Sequence, residues 1–256
     1  MPGPAVPDTA LPAAHAPSPG HRAGQVDGLR VERRPAPTGP SDDVLAATRA
    51  TLHAVVELVM AGPQHRESGT IRLAIVPGAV ETVAEPRLRL EPTCLSGPGG
   101  QASLLDTTSP LALGSAVGVQ AGAPVGVYPF RDGVEPDEAL SVDADVATAL
   151  LDWFSVGAAG LLLHAPDERA VLWPEHFDLA VTVDGVNYGI SPGDDVSVQP
   201  YAYVGPPAPV DDPFFDLPFG ALRTWAQVPD AEAVAAFFAE GRDRAAGARG
   251  TAAAPR

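Results

Sequence analysis

Residues 173–207 read WPEHFDLAVTVDGVNYGISPGDDVSVQPYAYVGPP, and the dipeptide Asp184-Gly185 within them decides the fold. Asp-Gly is a favoured two-residue hairpin turn, because both positions need positive φ, which Asp tolerates and Gly adopts freely. With that turn in place, Val183 faces Val186, Val181 faces Tyr188 and Leu179 faces Ile190. Asp178 then meets Ser191, and His176 meets Gly193. Side chains alternate between the two faces of a strand. One face therefore carries Phe177, Leu179, Val181, Val183, Val186, Tyr188 and Ile190. The other carries His176, Asp178, Ala180, Thr182, Asn187, Gly189 and Ser191. The first is a core surface. A slip of one residue would turn all of it into water, so the register is pinned.

The second face holds the candidate chemistry. His176, Asp178 and Ser191 gather at its open end, next to Pro192-Gly193-Asp194-Asp195. A histidine and a carboxylate two apart on a strand share a face, a geometry that suits orienting an imidazole or holding a metal. The candidate catalytic residues are thus His176, Asp178 and Ser191, and the candidate metal ligands are His176, Asp178, Asp194 and Asp195. Two plainer readings stand beside these. The face is the solvated side of an antiparallel sheet, or His176 and Asp178 are internal struts. In the second case the histidine pairs with a backbone carbonyl or the loop carboxylates, and the aspartate caps the SPGDD turn.

Gly189-Ile190-Ser191-Pro192-Gly193 matches G-x-S-x-G, the nucleophile elbow of α/β-hydrolases. That elbow needs a helix after the serine, with the acid and then the histidine further along the chain. Here a loop and another strand follow, and no histidine comes after His176. The match is a decoy. A different triad of Ser191, His176 and Asp178 is conceivable, but parallel projection of the last two from one strand makes their mutual hydrogen bond awkward.

The chain has 256 residues, 45 % of them apolar, enough for one good core or two small ones. A net charge of −16 argues against nucleic acid or an anionic membrane as partner. Between Arg169 and Arg223 no basic residue occurs, while Glu175, Asp178, Asp184, Asp194, Asp195, Asp211, Asp212 and Asp216 do. Such a segment attracts cations or a basic partner, or is simply a solvated acidic surface. The single cysteine, Cys94, excludes a disulfide framework and a thiolate zinc cluster. No apolar run reads as membrane-spanning, and the N-terminal residues lack the basic and apolar regions of a secretory signal. The expected compartment is the cytoplasm.

Residues 1–40 are Pro- and Ala-rich without periodicity and are expected to be a disordered tail. Ser41 caps a helix whose apolar stripe is Val44, Leu45, Thr48, Leu52, Val55, Val56 and Val59, ending before Gly62-Pro63. His53 beside it is a packed or boundary residue. Residues 70–75, 80–83 and 87–90 alternate as short strands, with Pro77-Gly78 a turn. Arg87 and Arg89 share a face there, solvated or able to meet an anion. Residues 96–130 are Gly-rich and weakly patterned, with a small helix near 109–119.

Residues 143–164 form the second long helix, burying Leu150, Leu151, Phe154, Leu161 and Leu162. Its Gly157 and Gly160 either weaken it or mark close backbone packing. Tyr201 and Tyr203 share one face of a third strand, where they line a pocket or clamp the sheet edge. Phe214, Phe215 and Phe219 anchor the Pro- and Asp-rich loop after it. Residues 221–226 add a strand, and Asp230 caps a last helix with Val234, Phe237 and Phe238 inward and Gly241 as its stop. The expectation is an α+β fold, an antiparallel sheet with about three packing helices. It forms a single domain over residues 41–241, with or without a sub-boundary within 96–135, followed by a disordered tail from 242 to 256.

The blocks W-P-E-H-F-D-L-A at 173–180, N-Y-G-I-S-P-G-D-D at 187–195 and P-Y-A-Y-V at 200–204 resemble an uncharacterised family of hypothetical proteins from GC-rich bacteria. The segments LHAVVELVMAGPQ, TIRLAIVPG and AVAAFFAEGR resemble further blocks of it, so the likeness covers roughly residues 43–245. The first block and S-x-G-D also resemble a broader domain-of-unknown-function family. The resemblance implies membership, but no activity, cofactor or catalytic residue. Two function classes follow from the residues. One is a binding protein or enzyme for a small molecule or divalent cation at the hairpin end; the other is a non-enzymatic module whose acidic face from 194 to 216 docks a basic protein partner.

Overall fold

The Asp184-Gly185 turn forms with φ of 52° and 77° at its two residues. The strands it joins keep the expected register, with Leu179 opposite Ile190, Val181 opposite Tyr188 and Val183 opposite Val186. The structure is a computed structural model and describes residues 41–128 and 135–252. The tail expected over 1–40 and the last residues of the tail expected from 242 lie outside the described residues.

Around this hairpin runs one ten-stranded antiparallel sheet. Its strands are β1 (Leu73–Val76), β2 (Ala79–Thr82), β3 (Arg89–Glu91), β4 (Cys94–Gly97), β5 (Gly100–Ser103), β6 (Val171–Trp173), β7 (Asp178–Val183), β8 (Val186–Ser191), β9 (Tyr201–Gly205) and β10 (Ala221–Thr224). Their spatial order is β10-β9-β8-β7-β6-β1-β2-β3-β4-β5. Each half of the sheet is a meander that grows outward from the centre, where Leu73 of β1 pairs with Leu172 of β6. The helices repeat the pattern. Helix α1 (Asp42–Ala54), a π-helical stretch Val55–Ala61 and α2 (Gly62–Ser68) precede the first meander, and α3 (Pro110–Ala116) follows it. Helix α4 (Ala144–His164) precedes the second, and α5 (Ala231–Ala252) follows it. The chain is thus helix–meander–helix twice over, and one sheet runs unbroken through both halves.

The sheet's apolar face packs against these helices. Leu73, Val80, Leu90, Leu95, Leu172, Leu179, Tyr188 and Ile190 join Leu52, Val56, Phe154, Leu161, Val234 and Phe238 in one core. Burying each such side chain contributes about 1.5–3 kcal/mol. The caps are as expected: Ser41 accepts from the Val44 amide, Asp143 from those of Asp145 and Val146, and Asp230 from that of Ala233.

Several boundaries differ from the sequence expectation. The first helix does not stop before Gly62-Pro63 but continues to Ser68. In the π stretch the Gly62 amide reaches back five residues to the Glu57 carbonyl. This shifted register carries the helix across Pro63, which has no N–H to give. The last helix passes through Gly241 to Ala252. Gly241 is a packing residue there, since a β-carbon would sit 2.8 Å from Val204 Cγ2. Val44 and Leu162, expected in the core, are exposed. Gly157 and Gly160 mark close packing, against Ile190 and Val234.

Strands β4, β5 and β6 lie in stretches with too little alternation to announce them. Two helices, Asp42–Ser68 and Ala144–His164, are long and apolar enough to cross a membrane, contrary to the sequence reading. The apolar windows that qualify them are 67 % and 50 % buried in this fold.

Candidate functional site

The face of β6–β9 that turns away from the helices is concave. It forms a pocket of about 390 Å³ whose walls include His176, Asp178, Ser191, Asp194, Tyr201 and Tyr203. Trp173, Thr182, Asn187 and Phe219 complete the floor and sides, with Arg72, Glu168, Arg169 and Glu175 also lining it. Strand alternation explains the gathering. Asp178 pairs with Trp173 of β6, Gly189 with Tyr203 of β9 and Ser191 with Tyr201. Every residue on this side therefore points into the same hollow.

At its centre the Tyr203 hydroxyl donates a short hydrogen bond to Asp178 Oδ2. Tyr203 reaches Asp178, two strands away, by lying across Gly189 of the intervening strand. A β-carbon at Gly189 would stand 2.3 Å from Tyr203 Cζ. Beside this pair, the Tyr201 hydroxyl donates to Asp194 Oδ2 at 2.6 Å. Asp194 Oδ1 accepts from the amides of Val196 and Ser197, at 2.8 and 3.2 Å. Asp194, not Asp178, therefore shapes the SPGDD turn. Asp178 Oδ1 is buried and has no hydrogen-bond partner among the described residues.

Burial raises the Asp178 pKa above the usual carboxylate range, and the Tyr203 hydrogen bond and nearby His176 pull it back in part. Burial, and next the Asp178 charge, holds the Tyr203 hydroxyl well above an ordinary phenol, so it keeps its proton and acts as donor. The Tyr201 hydroxyl is likewise pushed up, by burial first and then by Asp194.

The candidate catalytic residues meet in this pocket but do not form a relay. Ser191 is 4 % exposed. Its Oγ accepts from the Gly193 amide at 3.1 Å, and its carbonyl accepts from Trp153 Nε1 at 3.0 Å. His176 Nε2 lies 3.7 Å from Glu175 Oε1, on the side of its own neighbour in sequence. The serine is followed by a loop and β9, so the G-x-S-x-G segment forms no elbow.

Of the candidate metal ligands, His176, Asp178 and Asp194 line the pocket and Asp195 does not. Among the described residues no group of three or more His, Cys, Asp or Glu is placed to hold a metal ion. Asp195 is exposed outside the pocket. Phe177 leaves the strand pattern altogether. It takes a φ of 51° and is buried, its ring stacked on His53 at 5.5 Å between centroids. His53 in turn donates from Nε2 to the Pro174 carbonyl at 2.7 Å, a packed residue as expected.

The sequence pointed to Tyr201 and Tyr203 as lining a pocket or clamping the sheet edge; they line the pocket, and β10 rather than their strand β9 is the edge. The sequence gave no role to Trp173 or Arg72, and made Phe219 a loop anchor rather than a pocket wall. The signal available for Trp173 was its position before Pro174, but its strand has only three residues, too short to show alternation. Arg87 and Arg89 are engaged by carboxylates, Arg87 by Glu85 and Arg89 by Glu81 and Glu91. Within the acidic segment Asp212 is bound to Arg244 at 3.1 Å, while Asp211 and Asp216 are exposed.

These features define an α+β protein with helices on one face of a ten-stranded sheet and a pocket on the other. No known family model, curated protein or solved structure matches the chain.

Proposed function

We propose that the chain is a small-molecule-binding protein whose ligand occupies the polar face of β6–β9. The observation that carries this reading is Asp178, a half-buried residue in the pocket wall with one oxygen held by Tyr203 and a buried second oxygen that has no hydrogen-bond partner among the described residues. Leaving a buried polar atom unpaired costs about 1–3 kcal/mol, and a ligand that brings a donor recovers that loss. The pocket volume of about 390 Å³ suits a compact organic molecule. Its walls mix aromatic rings with a few convergent polar groups, the usual make-up of such sites.

The test is a fragment screen of the full chain by amide NMR, with cationic, neutral and anionic fragments in the set. Binding is expected to move the resonances of Gly189, Ser191, Tyr203 and Gly205 together. Shifts confined to other surfaces for every fragment would end this reading.

A further inference from the structure

We infer that the pocket takes an organic cation, a protonated amine or guanidinium on a small apolar or aromatic body, with its charged head beside Asp178. This rests on the small-molecule reading of the same pocket and names the chemistry of the ligand.

The charge of the walls is the first argument. Four carboxylates, from Glu168, Glu175, Asp178 and Asp194, line the pocket against two guanidinium groups, from Arg72 and Arg169. Arg72 already lies over the Trp173 ring, 5.7 Å from its centroid. Glu168 and Arg169 are both exposed on the loop before β6, so Glu175 and Asp178 are the less exposed carboxylates of the wall.

The second argument comes from the other half of the sheet. On the same polar face, Arg89 of β3 sits between Glu81 of β2 and Glu91 and pairs with both. There the fold supplies its own cation to the carboxylates. On β7 the corresponding face carries Asp178 with a tyrosine hydroxyl on one oxygen and, among the described residues, no hydrogen-bond partner on the other. A cation from outside would complete the second half as Arg89 completes the first.

The third argument is the rings. Trp173, Tyr201, Tyr203 and Phe219 wall the pocket, and aromatic faces attract ammonium and guanidinium groups, by about 2 kcal/mol or more where water is excluded. An anionic ligand would meet four carboxylates without such compensation. A neutral one would add no charge to a wall in which carboxylates outnumber guanidinium groups.

Three probes of matched shape separate these cases: 2-phenylethylamine, 2-phenylethanol and 3-phenylpropanoate, titrated into the full chain by calorimetry near neutral pH. The amine is expected to bind at least about tenfold more tightly than the alcohol, with the carboxylate weakest. Its affinity is expected to fall with added salt. Asp178→Asn is expected to weaken the amine about tenfold and the alcohol by a much smaller factor. Glu175→Gln is expected to weaken the amine by a smaller factor.

Amine binding is also expected to release protons wherever Asp178 is part-protonated, because a cation favours the ionised form of a carboxyl whose pKa burial raises. Heats measured in buffers of different ionisation enthalpy read that release. The groups that face Asp178 are Tyr203, His176 and Asp194, and the release is expected to vanish in Asp178→Asn. Equal or tighter binding of the alcohol or the carboxylate overturns the cationic assignment and leaves the small-molecule reading standing. An affinity for the amine that neither variant lowers also overturns the assignment. Binding of none of the three at millimolar concentration overturns both.

Discussion

Tyr203 lies flat across Gly189, its cross-strand partner, and so reaches Asp178 on the strand beyond. The glycine of the misleading G-x-S-x-G segment is therefore a slot for a ring. Gly189→Ala is expected to push Tyr203 off Asp178 and to destabilise the fold by about 1–3 kcal/mol, the usual cost of overpacking. Tyr203→Phe keeps the ring and removes the donor, at a cost of about 1–3 kcal/mol for the carboxyl left unpaired. It should also raise the Asp178 pKa further, since the lost hydrogen bond is what holds it down. Denaturant titration measures the first effect in both variants, and the carboxyl carbon shift of Asp178 across a pH series measures the second.

A second close approach fixes helix α4 on the sheet. A β-carbon at Gly157 would stand 2.3 Å from Ile190 Cγ1 and 2.8 Å from its Cγ2. Ile190 is fully buried and β-branched, so it has no room to turn aside. Gly157→Ala is expected to cost about 1–3 kcal/mol. Combined with Ile190→Ala, it should cost less than the sum of the two single changes, because each relieves the other. A double-mutant cycle by chemical denaturation reads this coupling, and strict additivity would show that the contact is not tight.

Glu57 sits in the π-helical stretch, 7 % exposed. Burial raises its pKa from 4.5 to about 7, while neighbouring Tyr128 offsets part of the rise and Glu175 adds to it. The folded state thus holds this proton more tightly than the unfolded chain does. The stability it contributes is full below pH 4.5 and is lost as pH rises through about 7. Glu57→Gln is expected to remove that slope and to gain up to about 3 kcal/mol at pH 8. Unfolding curves of both proteins from pH 4 to 8 check it, and parallel profiles would refute it.

His164 acts in the opposite direction. It is 8 % exposed between the rings of Tyr188 and Phe238, and neither of its nitrogens has a hydrogen-bond partner among the described residues. Burial holds its pKa below 6.5, with nearby Arg242 lowering it further. The unfolded chain therefore takes the proton first, and stability falls as pH drops below 6.5 toward the folded-state pKa. His164→Leu is expected to flatten that fall. The Glu57 and His164 slopes oppose each other over part of the range, so each variant must be compared with the parent at every pH.

The parts of the fold legible in the sequence are those whose signal is local. Asp184-Gly185 needs no distant partner to set its turn, and the alternation on either side gives the register by counting. The caps at Ser41, Asp143 and Asp230 work in the same way, through a side chain and an amide two or three residues away. The helix ends were misread where a distant contact overrides the local rule. Gly241 and Gly62-Pro63 look like stops, yet Val204 fills the space at one and a π-helical register bridges the other.

The candidate site divides along the same line. Sequence alone determined that Asp178 and Ser191 share a strand face and that Tyr201 and Tyr203 share another, because period-two geometry requires it. His176 was counted on the first face, but β7 begins at Asp178, after the positive φ of Phe177. Only the tertiary structure decided that these two faces are one wall of one pocket, that Tyr203 and not His176 holds Asp178, and that β1 and β6 join two meanders into a single sheet. Those relations depend on strand order and on how closely backbones approach at Gly189 and Gly157, quantities that arise from packing and leave no periodic trace in the chain.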